Sequence, residues 1–251
     1  MNLPVFSIIT VTRNAAQVLE QTILSVMNQT YGHIEYIIID GASHDGTTSI
    51  IRQYESEISY WVSESDTGLY DAMNKGLQAA TGSYVWFLNA GDVLKHHGIV
   101  AQLAEIAMQN DFPDILYGET DLMNQQGHVF AERRLKTPKN LSWKSFKMGM
   151  LVCHQAFIVK RSIAPAYDLH YLFSADFDWC IRSLKEATTV CNTKVRLLNY
   201  LYEGLTTANR KKSLQERYAI MCKYYGTFAT TILHGWFAMR YYWAKLTNKV
   251  I

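Results

Sequence analysis

No CxxC pair, no GxGxxG and no GxxxxGK followed by Ser or Thr occurs anywhere in the chain. The first absence removes the common zinc and dithiol spacings. The other two remove the usual dinucleotide and phosphate-loop fingerprints. The four cysteines, Cys153, Cys180, Cys191 and Cys222, stand far apart and read as buried free thiols in a reducing cytoplasm. Charge is sparse too. A formal balance of +2 over 251 residues is too small for nucleic acid to be the main partner. No apolar run reaches the about 20 residues of a membrane-spanning helix. The opening "MNLPVFSIITVTRN" places no basic stretch ahead of its apolar run, so no secretory signal is expected. There is no internal repeat and no low-complexity segment.

What is present is apolar and ordered. Apolar residues make up 49% of the chain, enough for a sizeable core. "VFSIITVT", "IEYIIID", "ISYWVSE" and "SYVWFLNAGD" read as buried strands. Between them "AAQVLEQTILSVMNQT", "TTSIIRQYES" and "DTGLYDAMNKGLQAAT" read as helices, the last ended by Gly82. This alternation predicts an α/β fold, a parallel sheet with helices on both faces. After Asp92 the pattern changes. "GIVAQLAEIAMQN" is an amphipathic helix, and two strands flank the turn Gln126-Gly127. "CHQAFIVKR" reads as another strand, and "SADFDWCIRSLKEA" opens a helix. An antiparallel, substrate-side part is expected there.

In open parallel sheets ligands bind beyond the carboxyl ends of the strands. That rule selects Thr12-Arg13, Asp40, Glu64–Asp66 and Asn89–Asp92. Several acids ending neighbouring strands suit a hard divalent cation and a phosphorylated ligand. A plainer reading stays open, in which Asp40 and Asp92 only cap the loops that follow.

"SIITVTRN", "YIIIDGASHDGT", "SESDTGLYDAMNKGLQAATGSYVWFLNAGD", "CHQAF" and "SADFDW" together resemble glycosyltransferase family 2. Within it they are similar to the single-domain bacterial members that build O-antigen, capsule or colanic-acid units. The resemblance covers roughly residues 5–205. It implies a GT-A fold: a Rossmann-like, mostly parallel sheet with a smaller antiparallel acceptor-side part. It also implies a nucleoside-diphosphate-sugar donor, Mn²⁺ or Mg²⁺, and inversion at the anomeric carbon. Laid on this chain, the resemblance puts Val11 and Arg13 beside the base and ribose, with Asp40 holding one of them. Position 41 departs from the family's pair of acids: it is Gly41. Asp66, Asp71, Asn74 and Lys75 fall on the donor side. The open alternatives are a capping role for Asp66 and an Asp71–Lys75 surface pair. Asp92 matches the metal-binding acid, with Asn89 and Gly91 where relatives carry more acid. Asp176 matches the catalytic base, which must reach the acceptor hydroxyl. Asp178 and His154 fall on the acceptor side. Asp178 is the alternative base or holds the loop or helix start, and the plainer readings are that both acids answer a helix dipole and that His154 is a core histidine.

Two regions are expected: a catalytic domain over residues 1–205 and a helical, basic-aromatic extension over 206–251. In the extension Tyr225, Phe228, Ile232, Trp236, Met239 and Trp243 recur at helical spacing. Arg210-Lys211-Lys212, Arg240, Lys245 and Lys249 flank them. That suits a membrane surface or a dimer contact. The chain carries no QxxRW, and together with the lack of spans this points to a non-processive transferase, while the resemblance implies a cytoplasmic enzyme attached peripherally to the inner face of the cytoplasmic membrane. It would act on a polyprenyl-diphosphate-linked acceptor. The rival readings are a sugar-nucleotide pyrophosphorylase and an inactive sugar-binding module.

Overall fold

A computed structural model describes residues 3–202 and 209–246. The side chains of Arg210 and of residues 240–246 lie outside the description, as do residues 247–251. The expectations placed on Arg240, Trp243, Lys245 and Lys249 therefore fall outside it.

The first half follows the alternation of the sequence. It runs β1 (Phe6–Thr12), α1 (Leu19–Met27), β2 (Ile34–Asp40), α2 (Thr47–Gln53), β3 (Tyr60–Ser63), α3 (Leu69–Ala79) and β4 (Tyr84–Phe87). β1 pairs in parallel with both β2 and β4, and β2 with β3. Every residue of β1 and of β4 is buried. Their side chains alternate between two cores. Ile9, Val11, Val85 and Phe87 face the cluster that includes Met73 of α3. Phe6, Ile8 and Trp86 face the cluster with Leu19 and Ile23 of α1.

The second half adds β5 (Val93–Leu94), α4 (Ile99–Gln109), β6 (Ile115–Met123), β7 (Val129–Glu132), β8 (Phe157–Lys160), α5 (Ala175–Glu186) and β9 (Val190–Leu201). The strand order is β3-β2-β1-β4-β8-β6-β9-β5, with β7 on β6. β8 is antiparallel to both β4 and β6, so the sheet changes character there.

Three expectations are corrected. "CHQAFIVKR" is not one strand: His154–Ala156 form a 3-10 turn before β8. α3 ends at Ala79 rather than at Gly82, which sits against β1. A side-chain carbon at Gly82 would lie 2.6 Å from Ser7 Oγ and 2.8 Å from the Val5 carbonyl. The aromatic stripe of the extension is divided. α6 (Arg210–Tyr225) and α7 (Thr227–Leu246) meet at Gly226. Tyr225 turns inward, stacks on Trp143 at 5.7 Å and bonds its carbonyl. Ile220 and Met221 of α6 are buried in the same core as α5.

Candidate active site

Sheet register builds the site edge. Thr12 pairs with Asp40, and Asp40 with Ser63. The pairing carries on into the loops: Gly41 N–H donates to the Thr12 carbonyl (2.9 Å), Glu64 N–H to Asp40 (3.0 Å) and Ala90 N–H to Val11 (3.2 Å). The ends of β3, β2, β1 and β4 therefore lie side by side, and they bring Glu64–Asp66, Asp40, Arg13 and Asn89–Asp92 to one edge. Val11 is buried beneath it. Arg13 is exposed, and its guanidinium has no hydrogen-bond or ion-pair partner among the described residues.

The acids on this edge are used differently. Asp40 is fully buried and accepts from Ser43 N–H (3.0 Å), Ser43 Oγ (2.5 Å) and Ser63 Oγ (2.6 Å). Its carboxylate ties the β2 and β3 loops together. Asp66 Oδ1 accepts from Gly68 N–H (3.0 Å), while Oδ2 lies where a side-chain carbon at position 41 would be. Gly41 leaves that space, with the Arg13 Cδ on its other side. The carboxylate beside position 41 thus comes from Asp66.

Around α3 the polar groups are committed. Asp71 accepts from Thr67 N–H (2.9 Å). Lys75 pairs with Glu64 (2.8 Å) and donates to the Ser65 carbonyl (2.8 Å), so the Asp71–Lys75 surface pair does not form. Asn74 clasps the backbone of Tyr167 with both ends of its amide, at 3.0 and 2.6 Å.

The turn after β4 holds Asp92. Gly91 has φ +99°, a conformation few other residues adopt, and Leu201 fills the space its side chain would need. Leu201 N–H donates to Asp92 Oδ1 (2.9 Å), so the end of β9 orients the carboxylate. Asp92 Oδ2, Asn89 Oδ1 and Thr12 Oγ1 are all buried without a hydrogen-bond partner. Burial pushes the Asp92 carboxyl up to about 7, against the downward pull of the Leu201 N–H and the nearby Gln155 side chain. Two oxygens of one turn, without a hydrogen-bond partner although the Gln155 side chain lies near the carboxylate, fit a cation whose other ligands arrive with a bound molecule. Among the described residues no group of three or more His, Cys, Asp or Glu side chains is placed to hold a metal alone.

Asp176 stands in the first turn of α5, half-buried, and accepts from Tyr70 Oη (3.2 Å) and Phe177 N–H (2.9 Å). Burial drives the Cys153 thiol up to about 11 and raises the Tyr200 hydroxyl. The charges of Asp92 and Asp176 add to both rises. Both carboxylates therefore lie within electrostatic reach of Cys153 and Tyr200. His154 lies against Phe87 and Trp179, with Nε2 2.6 Å from Tyr167 Oη, and burial lowers it to about 4. Its ring is neutral and belongs to the wall. Asp178 is not brought to this centre. It is fully buried and bonded to Arg182 (2.6 Å), Tyr224 (2.8 Å) and Lys223 (3.3 Å).

Sequence reasoning passed over Tyr70, Leu201 and Glu216. Glu216 of α6 accepts from Leu172 N–H (2.9 Å) and Phe173 N–H (2.8 Å). Ser174 Oγ meets Ser213 Oγ at 2.9 Å. The loop before Asp176 is thus fastened to α6. Tyr70 stood in view inside "GLYDAMNKG", whereas nothing in the sequence marks Leu201 or Glu216.

The sequence profile of Glycosyl transferase family 2 matches residues 7–164. The chain belongs to glycosyltransferase family 2. A Mycobacterium bovis PGL/p-HBAD biosynthesis glycosyltransferase is 32% identical over 200 residues, covering 76% of this chain and 73% of its own. A Bacillus subtilis glycosyltransferase assigned by its name to teichuronic acid biosynthesis, TuaG, is 35% identical over 205 residues, covering 78% and 80%. Among solved structures, S. aureus TarS 1-349 superposes with a TM-score of 0.68 at 14% identity. The match covers 87% of this chain and 65% of that one. Its complex with UDP-GlcNAc superposes at 0.66. That likeness establishes the fold of this family-2 chain as GT-A, with the antiparallel strands lying beyond β4.

Proposed function

We propose that this family-2 glycosyltransferase moves a sugar from a nucleoside-diphosphate-sugar to a hydroxyl of a glycan acceptor, with inversion and one sugar at a time. The observation that carries the reading is the incomplete acidic turn Asn89–Asp92 at the carboxyl edge of the parallel strands, where Asp92 Oδ2 and Asn89 Oδ1 are buried without partners. TarS, solved with UDP and with UDP-GlcNAc, supports a nucleotide-sugar donor. The relatives' names support an acceptor in bacterial surface glycan or glycolipid assembly, such as a polyprenyl-diphosphate-linked sugar. Such an acceptor places the enzyme at the inner face of the cytoplasmic membrane. Among the described residues no helix is long and apolar enough to cross a membrane.

Each side chain then has a task. Val11 floors the nucleoside pocket, Asp40 fixes the loops that shape it, and Asp66 presents the free carboxylate oxygen beside it. Arg13, without a partner, meets the donor's negative charge. Asp71, Asn74 and Lys75 hold the α3 wall, and Gly91 sets the turn. Asp92 Oδ2 and Asn89 Oδ1 would hold Mn²⁺ or Mg²⁺, which when bound neutralises charge on the departing diphosphate. Asp176 takes the proton from the acceptor hydroxyl as its oxygen attacks the anomeric carbon. The bond from that carbon to the donor phosphate oxygen breaks, and the nucleoside diphosphate leaves. His154 and Asp178 support the acceptor side, as wall and as loop anchor.

The test is which bond breaks. Nucleoside-diphosphate sugars are first screened with Mn²⁺ for a rise in thermal stability. Those that bind are then followed by product analysis with a lipid-linked acceptor pool. Release of nucleoside diphosphate is expected. Appearance of sugar 1-phosphate and nucleoside triphosphate on adding pyrophosphate would mean a pyrophosphorylase. Donor binding without turnover would mean an inactive sugar-binding module.

A further inference from the structure

α7 has two faces. Thr230 is buried, and Leu233 and Phe237 pack on the core. Phe228, Ile232, Trp236 and Met239 are 82, 58, 39 and 63% exposed and recur at helical spacing. A lone exposed apolar residue is ordinary, but an aligned row of four is not. The helix, TFATTILHGWFAMRYYWAKL, contains no acid.

α7 packs against the 3-10 helix Trp143–Met148, which also lacks acids and adds exposed Lys144 and Met148. Lys147 lies over the Tyr225 ring at 5.4 Å, three residues before Phe228. Lys144 lies over Trp143 at 5.8 Å. The charge of the whole chain is divided to match. Residues 203–251 carry eight Lys and Arg against two Glu, a net +6, which leaves −4 on residues 1–202. Such asymmetry marks an attraction for an anionic surface.

We propose that α7 and the adjoining 3-10 helix form a face that docks onto an anionic lipid bilayer. The row Phe228, Ile232, Trp236 and Met239 enters the headgroup boundary, and Lys144 and Lys147 meet the lipid charge. A second copy of the chain fits this face poorly. A two-fold contact sets a patch against itself and would bring the same lysines together. The proposal deepens the membrane location given above by naming the surface. It is tested without glycosyl transfer, so its failure leaves the enzymatic reading standing.

The full chain is floated with phosphatidylcholine vesicles with and without phosphatidylglycerol. Flotation is expected with the anionic vesicles and weakens in high salt. The double variant Phe228→Ser/Met239→Ser weakens it by about tenfold or more, and the thermal shift given by a nucleoside diphosphate stays unchanged. Lys144→Glu/Lys147→Glu removes the preference for phosphatidylglycerol. Three results would overturn the proposal. One is the absence of flotation, or equal flotation on both vesicle types. Another is unchanged binding by the apolar double variant. The third is a wild-type dimer in light scattering that the apolar double variant dissociates.

Discussion

The turn after β4 and the loop before Asp176 differ in how far the protein completes their hydrogen bonding. On the donor edge Asp92 Oδ2, Asn89 Oδ1 and Thr12 Oγ1 are buried and unpartnered. On the acceptor side the loop before Asp176 is fastened, and the unpartnered buried atoms there, Arg182 Nη2, Ser183 Oγ and Arg217 Nε, belong to the helices α5 and α6 rather than to the loop. Asn74 holds Tyr167, Glu216 holds Leu172 and Phe173, and Ser213 meets Ser174. Buried polar atoms without partners are costly, so a fold keeps them where a ligand completes them. A fastened loop is what a base needs to reach a hydroxyl without reorganising. One edge waits for its ligand, and the other is set in advance.

The largest effects should separate these two characters. Asp92→Asn removes the buried charge. Activity should fall on the order of a thousandfold or more, because charge on the leaving group goes uncompensated. The same variant should unfold at a higher temperature than wild type when no ligand is present, since an unpaired buried carboxylate is itself destabilising. A matched loss of activity and stability would contradict the donor-edge account. Asp176→Asn should slow transfer by about 10²–10⁴-fold with donor affinity preserved, as read by a nucleoside-diphosphate thermal shift. Normal transfer by that variant would move the base elsewhere.

The acceptor wall should also set the acid limit of the fold. His154 has its pKa lowered from 6.5 to about 4 by burial. Below about pH 6.5 the unfolded chain takes a proton that the folded chain refuses. Stability from this group is therefore lost as pH falls from about 6.5 toward about 4, by about 3 kcal/mol at most. Urea unfolding of wild type and His154→Gln at pH 7 and pH 4.5 should show a smaller acid loss in the variant. Equal losses would place the acid sensitivity on other groups.

Glu216→Ala leaves two backbone N–H groups without their acceptor, at a cost of about 1–3 kcal/mol. Its distinguishing mark is kinetic. Turnover should drop with donor KM unchanged, and Glu216→Gln, which keeps a carbonyl oxygen, should recover part of it. A proportional loss of donor affinity would show a merely general weakening.

The legible part of the molecule was its parallel half. Strands such as "IEYIIID" are buried on both faces, so their apolar runs and their terminal acids both show in one dimension. β9 escaped notice because it is mixed in composition: Lys194 and Arg196 are exposed while Leu197 and Leu198 are buried. Its register shifts against β6 also break any simple alternation. Site roles were harder to read than site positions. Asp40, Asp71 and Asp178 are all acids at expected places. Whether a carboxylate is open or spent depends on partners such as Ser63, Thr67 and Tyr224, which are remote or featureless in the sequence.

The smallest effect is the sharpest probe of the donor edge. Gly41 looked like a missing acid, yet Asp66 fills the space beside it. Gly41 does not have the positive φ that would bar other residues, so alanine suits the backbone there. Its methyl group must displace the Asp66 carboxylate, whose end can swing aside, and it presses on the Arg13 Cδ at 3.3 Å. Gly41→Ala, at a buried position whose nearest neighbour is the movable end of a side chain, should therefore cost about 1 kcal/mol in stability, the middle of the range for single substitutions. Donor KM should rise several-fold with kcat nearly constant, the signature of a contact made equally in ground and transition states. If Asp66→Ala gives the same rise and the double variant adds nothing further, the two positions act through one carboxylate. Independent, additive losses would mean that Gly41 serves the loop alone, and that the Asp66 oxygen beside it takes no part in holding the donor.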